Sequence, residues 1–551
     1  MASLHASSHA RVGLLGNPSD LYGGKGLGFA VAELTATVTL TDAATTTLPN
    51  ELLRAGWQLM QAELTAQGLD PTSRPFALTL TSDIPFQAGL SGSSALLIAA
   101  LRAWSRWFGL PRTPSRIAEL AWRAENEVLG IRAGPLDRLV QAHGGLLAMD
   151  FVQPFRDSAV VRIDPALLPP LLLCWHGVPS ASSGDVHAPI WARFQAGDAS
   201  VCEVMNRLAA NAEAGHAALL AGDHTAFAAC IDHNFELRAR VFPIAPADRA
   251  LIELGRSLGA ASKFPGSGGA VLFACRDEAQ RERVEAACRE RGHATLRPTV
   301  AAPTPRLHAV FLAAGFATRL YPLTLHRAKP LLEVGGQPLL TRILRQVEQA
   351  GSVEHGTVVS NGRFHADFVA WSRAAQPRLP LHVVDDGAMT NETRRGAIAD
   401  LALALAARPE GAEPDCYLVL ACDNLFEFDL ARLVERFAAT RHGQLIVREV
   451  PTPVPVGKYS EVLLHGDVVA RFREKPADPQ SNLSAIAIYL LPRELPALVR
   501  QYLDGGGNAD APGHLLAWLS ARMPLRATRL DGRWFDIGSA ADLAAANRAV
   551  H

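Results

Sequence analysis

Ten residues in the middle of this chain, RPTVAAPTPR at 297–306, constrain its architecture more than any other stretch. Three prolines set among small residues, with no apolar period, can continue neither a helix nor a central strand. They predict an extended, fairly stiff connector. The 551 residues therefore read as two halves, 1–300 and 307–551, joined by a proline-rich linker at 301–306. Each half is long enough for its own core, since single cores stop growing at roughly 250–300 residues.

The two halves differ in rhythm. Before the linker, FALTLTSD at 76–83 alternates apolar and polar residues as a half-buried strand does, and 95–101, 115–129, 201–221 and 277–291 read as helical. That half is expected to be mixed α+β. After the linker, candidate strands at 308–313, 355–360, 381–385 and 416–421 enclose helices at 338–350 and 429–441. Strand and helix in turn predict an α/β, Rossmann-like domain with a mostly parallel sheet.

Composition excludes several classes. Lys+Arg is 53 against Asp+Glu 54, so no global field draws a polyanion, and neither a nucleic-acid nor a membrane partner is expected. Seven cysteines without a CxxC pair make neither a disulfide framework nor a zinc site. The opening MASLHASSHA lacks the basic start and apolar stretch of a secretory signal, and runs such as LLPPLLLCW at 167–175 are too short to span a bilayer. A cytoplasmic protein acting on small molecules is expected. His143, His176 and His187 are too scattered for a metal set and read as structural.

In the N-terminal half, PFQAGLSGSSA at 85–95 lies between a strand and a helix. Glycines let the backbone approach an anion, a helix start offers free N–H groups, and Ser93 and Ser94 add hydroxyls. Alone, such a turn is more often a cap than a site, and no lysine follows to make the common nucleotide-binding loop. Two further segments accompany it: AENEVLGIRAGPLDRLVQAHGG at 124–145, with Glu125, Glu127 and Asp137, and AASKFPGSGGAVLF at 260–273. Together with RVGLLGNPSD at 11–20, these resemble the signature motifs of the GHMP kinases, and the combination NPSD, GLSGSSA, GPLDRLVQAHGGL and KFPGSGGAV is most similar to the glucuronokinases among them. The similarity runs over nearly all of 10–300, including the stretch at 167–187.

The resemblance implies a GHMP-kinase fold and a role for each matched position. Gly89, Ser91, Gly92, Ser93 and Ser94 would cradle the ATP phosphates, with Gly266, Ser267, Gly268 and Gly269 beneath substrate and nucleotide. Ser93 and Glu125 would hold Mg²⁺, which takes hard oxygen ligands. Asp137 would accept the proton of the attacking sugar hydroxyl, and Arg11 would steady that aspartate or the transferring phosphoryl group. Asn17 and Asp20 would bind the sugar. Galactokinase-like members carry Glu and His where this chain has Asn17 and Pro18; losing a carboxylate there lowers repulsion toward an anionic sugar and favours a sugar acid.

In the C-terminal half, the strand at 308–313 runs into AAGFATRLYPLTLHRAKPLLEVGGQPLL at 313–340. A turn at Gly315 exposes amides and then delivers Arg319 and Lys329, a forked donor and a point charge for a triphosphate. LVLACDNLF at 418–426 ends a strand in Asp423, FREKP at 472–476 supplies Glu474 and Lys475, and WFDIGS at 534–539 supplies Asp536. This ordered set resembles the sugar-1-phosphate nucleotidyltransferases, which make NDP-sugars. It implies that Ala313, Ala314, Gly315 and Thr318 bind the NTP. Arg319 and Lys329 would be catalytic, Glu474 and Lys475 would contact the sugar phosphate, and Asp423 and Asp536 would hold Mg²⁺. Ala317 replaces the usual second glycine of the loop, and DDGAMTNETRRGAIADL at 385–401 departs from the glucose-1-phosphate enzymes, which leaves base and sugar open.

The two implied reactions are consecutive: a kinase makes a sugar 1-phosphate and a pyrophosphorylase consumes it. The expectation is a bifunctional enzyme using ATP and an NTP, with glucuronate and UTP favoured. Alternatives are a neutral hexose of galactose or fucose type, a non-sugar phosphate such as phosphocholine, or one half degenerate and acting as a nucleotide-binding regulatory module.

Overall fold

The opening strands Ser3–Leu15 and Lys25–Asp42 form a long antiparallel pair. Their alternation buries Val12, Leu14, Phe29 and Val38 on one face. The computed structural model describes residues 3–177, 183–409 and 413–550. They divide into two compact units: Met1–Phe108 with Thr113–Thr304, and Gly109–Arg112 with Pro305–His551. Residues 178–182 of the stretch noted above lie outside the described residues.

In the first unit that pair is extended by Leu146–Asp150 and Val160–Ile163, while Phe76–Ser82 pairs with the far end of Lys25–Asp42, all antiparallel. A second antiparallel sheet places Ala261–Lys263, Ala270–Ala274, Leu171–Trp175 and Ala294–Leu296 side by side. Helix Gly92–Trp107 buries Leu97, Ile98, Leu101 and Trp104, and Trp104 closes an aromatic cluster with Trp57 (5.3 Å between centroids). The helix beginning at Pro114–Arg123 continues into a π turn at Ala124–Val128, which carries Glu125. Such turns widen a helix locally and are common at functional sites.

The proline-rich stretch is extended, but up to Thr304 it is not a bare tether. Ala32 N–H donates to Thr299 O, Thr299 N–H donates to Glu33, and Thr304 N–H donates to His143 O.

The second unit is built on a nine-stranded mixed sheet. Leu381–Asp385, Val353–Ser360, Leu307–Leu312 and Cys416–Ala421 run parallel, in that order. Leu483–Pro492 joins antiparallel, and Gly443–Glu449, Leu525–Arg529, Val468–Arg473 and Glu461–His465 complete the sheet. The two central parallel strands, Leu307–Leu312 and Cys416–Ala421, are almost wholly buried, whereas the edge strand Leu381–Asp385 has no buried residue. Helix Leu339–Gln349 buries Leu340, Ile343, Leu344 and Val347 on one face. Val353–Ser360 pairs with one edge of Leu307–Leu312 and Cys416–Ala421 with the other, so the strand order reverses at Leu307–Leu312, where open α/β sheets commonly bind ligands. Among the described residues no helix is long and apolar enough to cross a membrane.

Candidate active sites

In the first unit the chemistry gathers around Asp137, in the first turn of helix Leu136–His143. Arg11 grips its carboxylate with two hydrogen bonds, Nε to Oδ1 at 2.5 Å and Nη2 to Oδ2 at 2.9 Å. Ser91 Oγ donates to Oδ2 at 2.6 Å. Burial alone would raise the pKa of this carboxyl, but Arg11 and Arg138, with the Arg11 and Ser91 hydrogen bonds, outweigh it and hold Asp137 at about 2. Asp137 is thus a permanently ionised group beside the glycine/serine turn.

That turn is shaped by close backbone contact. Gly89 has φ +68°, and a Cβ there would strike Gly268 O; a Cβ on Gly266 would strike Gly89 O and the Arg11 guanidinium. The two glycine-rich segments interlock, and only glycine fits at the crossing. Arg11 Nη1 donates to Gly89 O at 2.7 Å. Ser91 takes the left-handed conformation immediately before helix Gly92–Trp107, leaving that helix's first amides directed outward. Ser93 is exposed, while Ser94 is buried and donates to Ser91 O.

The predicted sugar residues line a small cavity beside Asp137. Asp20 accepts from Leu136 N–H at 3.3 Å, and burial, followed by the Asp137 charge, pushes its carboxyl up to about 6. Asn17 Oδ1 accepts from Lys263 Nζ at 2.6 Å. Glu125, expected to hold magnesium with Ser93, accepts at Oε2 from Arg138 Nε at 2.6 Å, and burial raises its pKa above the ordinary carboxyl value. Both Arg138 contacts fall on Oε2 of that carboxylate.

In the second unit, Ala313 and Ala314 are buried at the end of strand Leu307–Leu312, and Gly315 and Thr318 are exposed on the loop. Asn361 pins the loop by donating to Ala314 O at 2.9 Å. Ala317 sits in the left-handed region with φ 48°, the conformation that suits the family's glycine. Lys329 lies almost buried, its Nζ 3.1 Å from Asp423 Oδ2 and 4.0 Å from Asp536 Oδ1. The two aspartates are brought together because Asn424–Phe426 pairs antiparallel with Trp534–Asp536, placing Asn424 opposite Asp536. Both carboxylates remain about half exposed, at 48% and 56%. Burial, then Asp423, raises the Asp536 carboxyl. Glu474 packs against Gly513 and is raised by burial, whereas Lys475 and Arg319 are exposed.

The structure thus gathers Arg11, Ser91 and Asp137 at one point, Asn17 and Asp20 around the neighbouring cavity, and Lys329, Asp423 and Asp536 at another. Sequence reasoning gave no role to Arg138, although it stands within GPLDRLVQAHGGL, nor to Arg238 and Asn361, which lie outside the quoted motifs. It also placed His187 with the structural histidines; His143 and His176 do bond Ser115 and Asp248, but His187 lines the cavity.

Comparison with known proteins agrees with this division. The GHMP kinase N-terminal domain family matches residues 50–145, the GHMP kinase C-terminal family 216–294, and the nucleotidyl transferase family 308–551. The chain is 33% identical over 342 residues to glucuronokinase 1 of Arabidopsis thaliana, covering 55% of this chain and 93% of that protein. It is 28% identical over 246 residues to a glucose-1-phosphate thymidylyltransferase of Streptomyces griseus, covering 44% of this chain and 66% of that one. Among solved structures, a Lactococcus lactis galactokinase complexed with galactose is 16% identical with a TM-score of 0.47, covering 54% of this chain and 93% of that one.

Proposed function

Because the chain belongs to the GHMP kinases through its N-terminal half and carries a nucleotidyl transferase domain in its C-terminal half, we propose that it activates a sugar acid in two steps. ATP phosphorylates glucuronate at its anomeric oxygen; the 1-phosphate then attacks UTP, giving UDP-glucuronate and pyrophosphate. We assign 1–300 to the kinase, 301–306 to the linker and 307–551 to the transferase. On one chain the two activities share a stoichiometry and a raised local concentration of intermediate.

The observation that supports the kinase step most is the Arg11–Asp137–Ser91 cluster at the glycine/serine turn. Phosphoryl transfer passes through a loose transition state in which the attacking hydroxyl loses its proton late. A carboxylate held near 2 is a weak base, but it suffices for a proton released only as the new P–O bond forms. Asp137 would orient the hydroxyl and take that proton, and Arg11 would keep the carboxylate ionised and face the transferring phosphoryl group. The amides at the start of helix Gly92–Trp107 would hold nucleotide phosphates, with the exposed Ser93 hydroxyl beside them. Glu125, which meets Arg138 through Oε2 alone, would offer Oε1 to magnesium beside Ser93.

For the transfer step, Asp423 and Asp536 fit magnesium: they are hard, accessible oxygen donors from two neighbouring strands, and the ion takes its remaining ligands from phosphates and water. Bound there, the ion would neutralise charge on the α-phosphate as pyrophosphate leaves. Lys329 and Arg319 would add positive charge along the triphosphate, the amides of Ala313–Gly315 and Thr318 would approach it, and Glu474 and Lys475 would hold the sugar phosphate. A panel of sugars with ATP, followed by a panel of NTPs with the resulting 1-phosphate, tests the assignment. Glucuronate and UTP should be preferred, and a preference for galactose or fucose would overturn the sugar assignment.

A further inference from the structure

We infer that Arg238, together with the side-chain amide of Asn17 and the imidazole of His187, forms a subsite for the carboxylate of a sugar acid and so selects the substrate class of the kinase. This rests on the kinase reading above.

Arg238 projects from helix His224–Ala239 and is only 3% exposed. Its guanidinium stands over the rings of Phe242 and Phe264, 4.7 and 5.7 Å from their centroids. Among the described residues no carboxylate pairs with it. Nη2 donates to Ser267 O at 3.0 Å, and the buried Nε has no partner. Burial lowers its pKa to about 10, so the group remains charged at neutral pH. A buried guanidinium whose donors are so incompletely used is costly, unless an anion arrives to complete it.

Its neighbours point the same way. His187 Nδ1 is likewise buried without a partner, and burial, then Arg238, keeps the imidazole neutral, with a pKa of about 3. Asn17 has its oxygen occupied by Lys263 Nζ, which leaves the NH₂ group as the free end of the amide. Lys263 is itself 1% exposed and bonded only to Gly13 O and Asn17 among the described residues. Arg238, His187 and Asn17 line one cavity with Asp20 and Asp137. A phosphate would suit the same donors. However, the described lining includes Arg11, Asn17, Pro18 and Asp20 of the sugar-side motif and none of Gly89–Ser94, although Gly266 and Ser267 of the second glycine-rich segment also border it, and this favours the acceptor side of Asp137 for the subsite.

The test is steady-state kinetics of the full chain with glucuronate and with a neutral hexose, for wild type, Arg238→Met, Arg238→Lys and Asn17→Asp. Tm and transferase activity serve as checks on folding. Arg238→Met keeps the stem over the phenylalanines and removes the charge. It should raise KM for glucuronate about 100-fold, leave KM for ATP within about twofold, and erode the preference for glucuronate over the hexose. Arg238→Lys should fall between. If the rise appears in KM for ATP instead, the subsite takes phosphate and the inference fails; a folded Arg238→Met with unchanged glucuronate kinetics also overturns it. Should Arg238→Met not fold, Asn17→Asp decides: KM for glucuronate must rise at least about tenfold, and no change overturns the subsite. A wild type that phosphorylates neutral sugars but no sugar acid would overturn the substrate reading and this subsite together, an outcome distinct from the others.

Discussion

Lys329 Nζ lies 3.1 Å from Asp423 Oδ2, a buried ammonium set against a half-exposed carboxylate. With Asp536 at 4.0 Å, one cation offsets only part of the charge on the two acidic groups that would receive the metal. Asp423→Asn should therefore weaken nucleotidyl transfer by about 10³-fold through loss of charge stabilisation. Sugar phosphorylation in the same sample should change less than about twofold, since the two sites are separate. Pyrophosphate release and ADP formation, measured in parallel, check this; loss of both would mean that the halves do not act independently.

Asp137→Asn should lower the kinase kcat by about 10³-fold, the usual scale of a positioned acid–base group. It also removes a buried carboxylate between Arg11 and Arg138, so the first unit should lose roughly 3 kcal/mol of stability. The native carboxyl is held at about 2, below its ordinary 3.8. Its contribution of roughly 2 kcal/mol is present above pH 4 and lost as pH falls through 2. Acid titration of wild type and variant should show this difference closing below pH 2. Transferase activity of the variant reports whether the chain remains folded.

Asp20 behaves in the opposite sense. Its folded carboxyl sits at about 6, above its ordinary 3.8, so ionisation opposes folding. Stability falls as pH rises from 4 to 6 and then levels off, with a cost of roughly 3 kcal/mol. Asp20→Asn should raise Tm at pH 8 and leave it unchanged at pH 4. If the ionised form binds sugar hydroxyls, kcat/KM for the sugar in wild type should show an acid limb near pH 6 that the variant lacks.

Ala317 carries a side chain at φ 48°, where glycine is unstrained. Ala317→Gly should stabilise the second unit by about 1 kcal/mol and lower KM for the NTP by letting the backbone approach more closely. Denaturant unfolding and NTP kinetics measure the two effects separately.

Much of the scaffold was legible before the structure. Strands at 308–313, 355–360, 381–385 and 416–421 correspond to Leu307–Leu312, Val353–Ser360, Leu381–Asp385 and Cys416–Ala421, because short β-branched and apolar runs between turn residues are a local signal that needs no long-range information. The glycine turns were legible for a related reason: backbone crossing at Gly89 and Gly266 permits little else. What stayed hidden depends on contacts between distant segments. The hold of Arg138 on Glu125 follows from a π turn that no local pattern announces. The Lys263–Asn17 bond spans 246 positions, and Arg238 sits in an ordinary helix where an arginine reads as surface. The prolines of the linker were visible, but the hydrogen bonds of Thr299 and Thr304 to the first unit depend on where that unit's strands end.

The central claim is that one chain holds two phosphate-handling sites and that the product of the first feeds the second. Its most direct test is a single reaction of the full chain with glucuronate, ATP, UTP and magnesium, followed by mass over time. The account predicts glucuronate 1-phosphate first and UDP-glucuronate with pyrophosphate after it, both abolished by omitting ATP, and only the second abolished by omitting UTP. Absence of any sugar 1-phosphate, or a 1-phosphate that accumulates without reacting with any NTP, would contradict it.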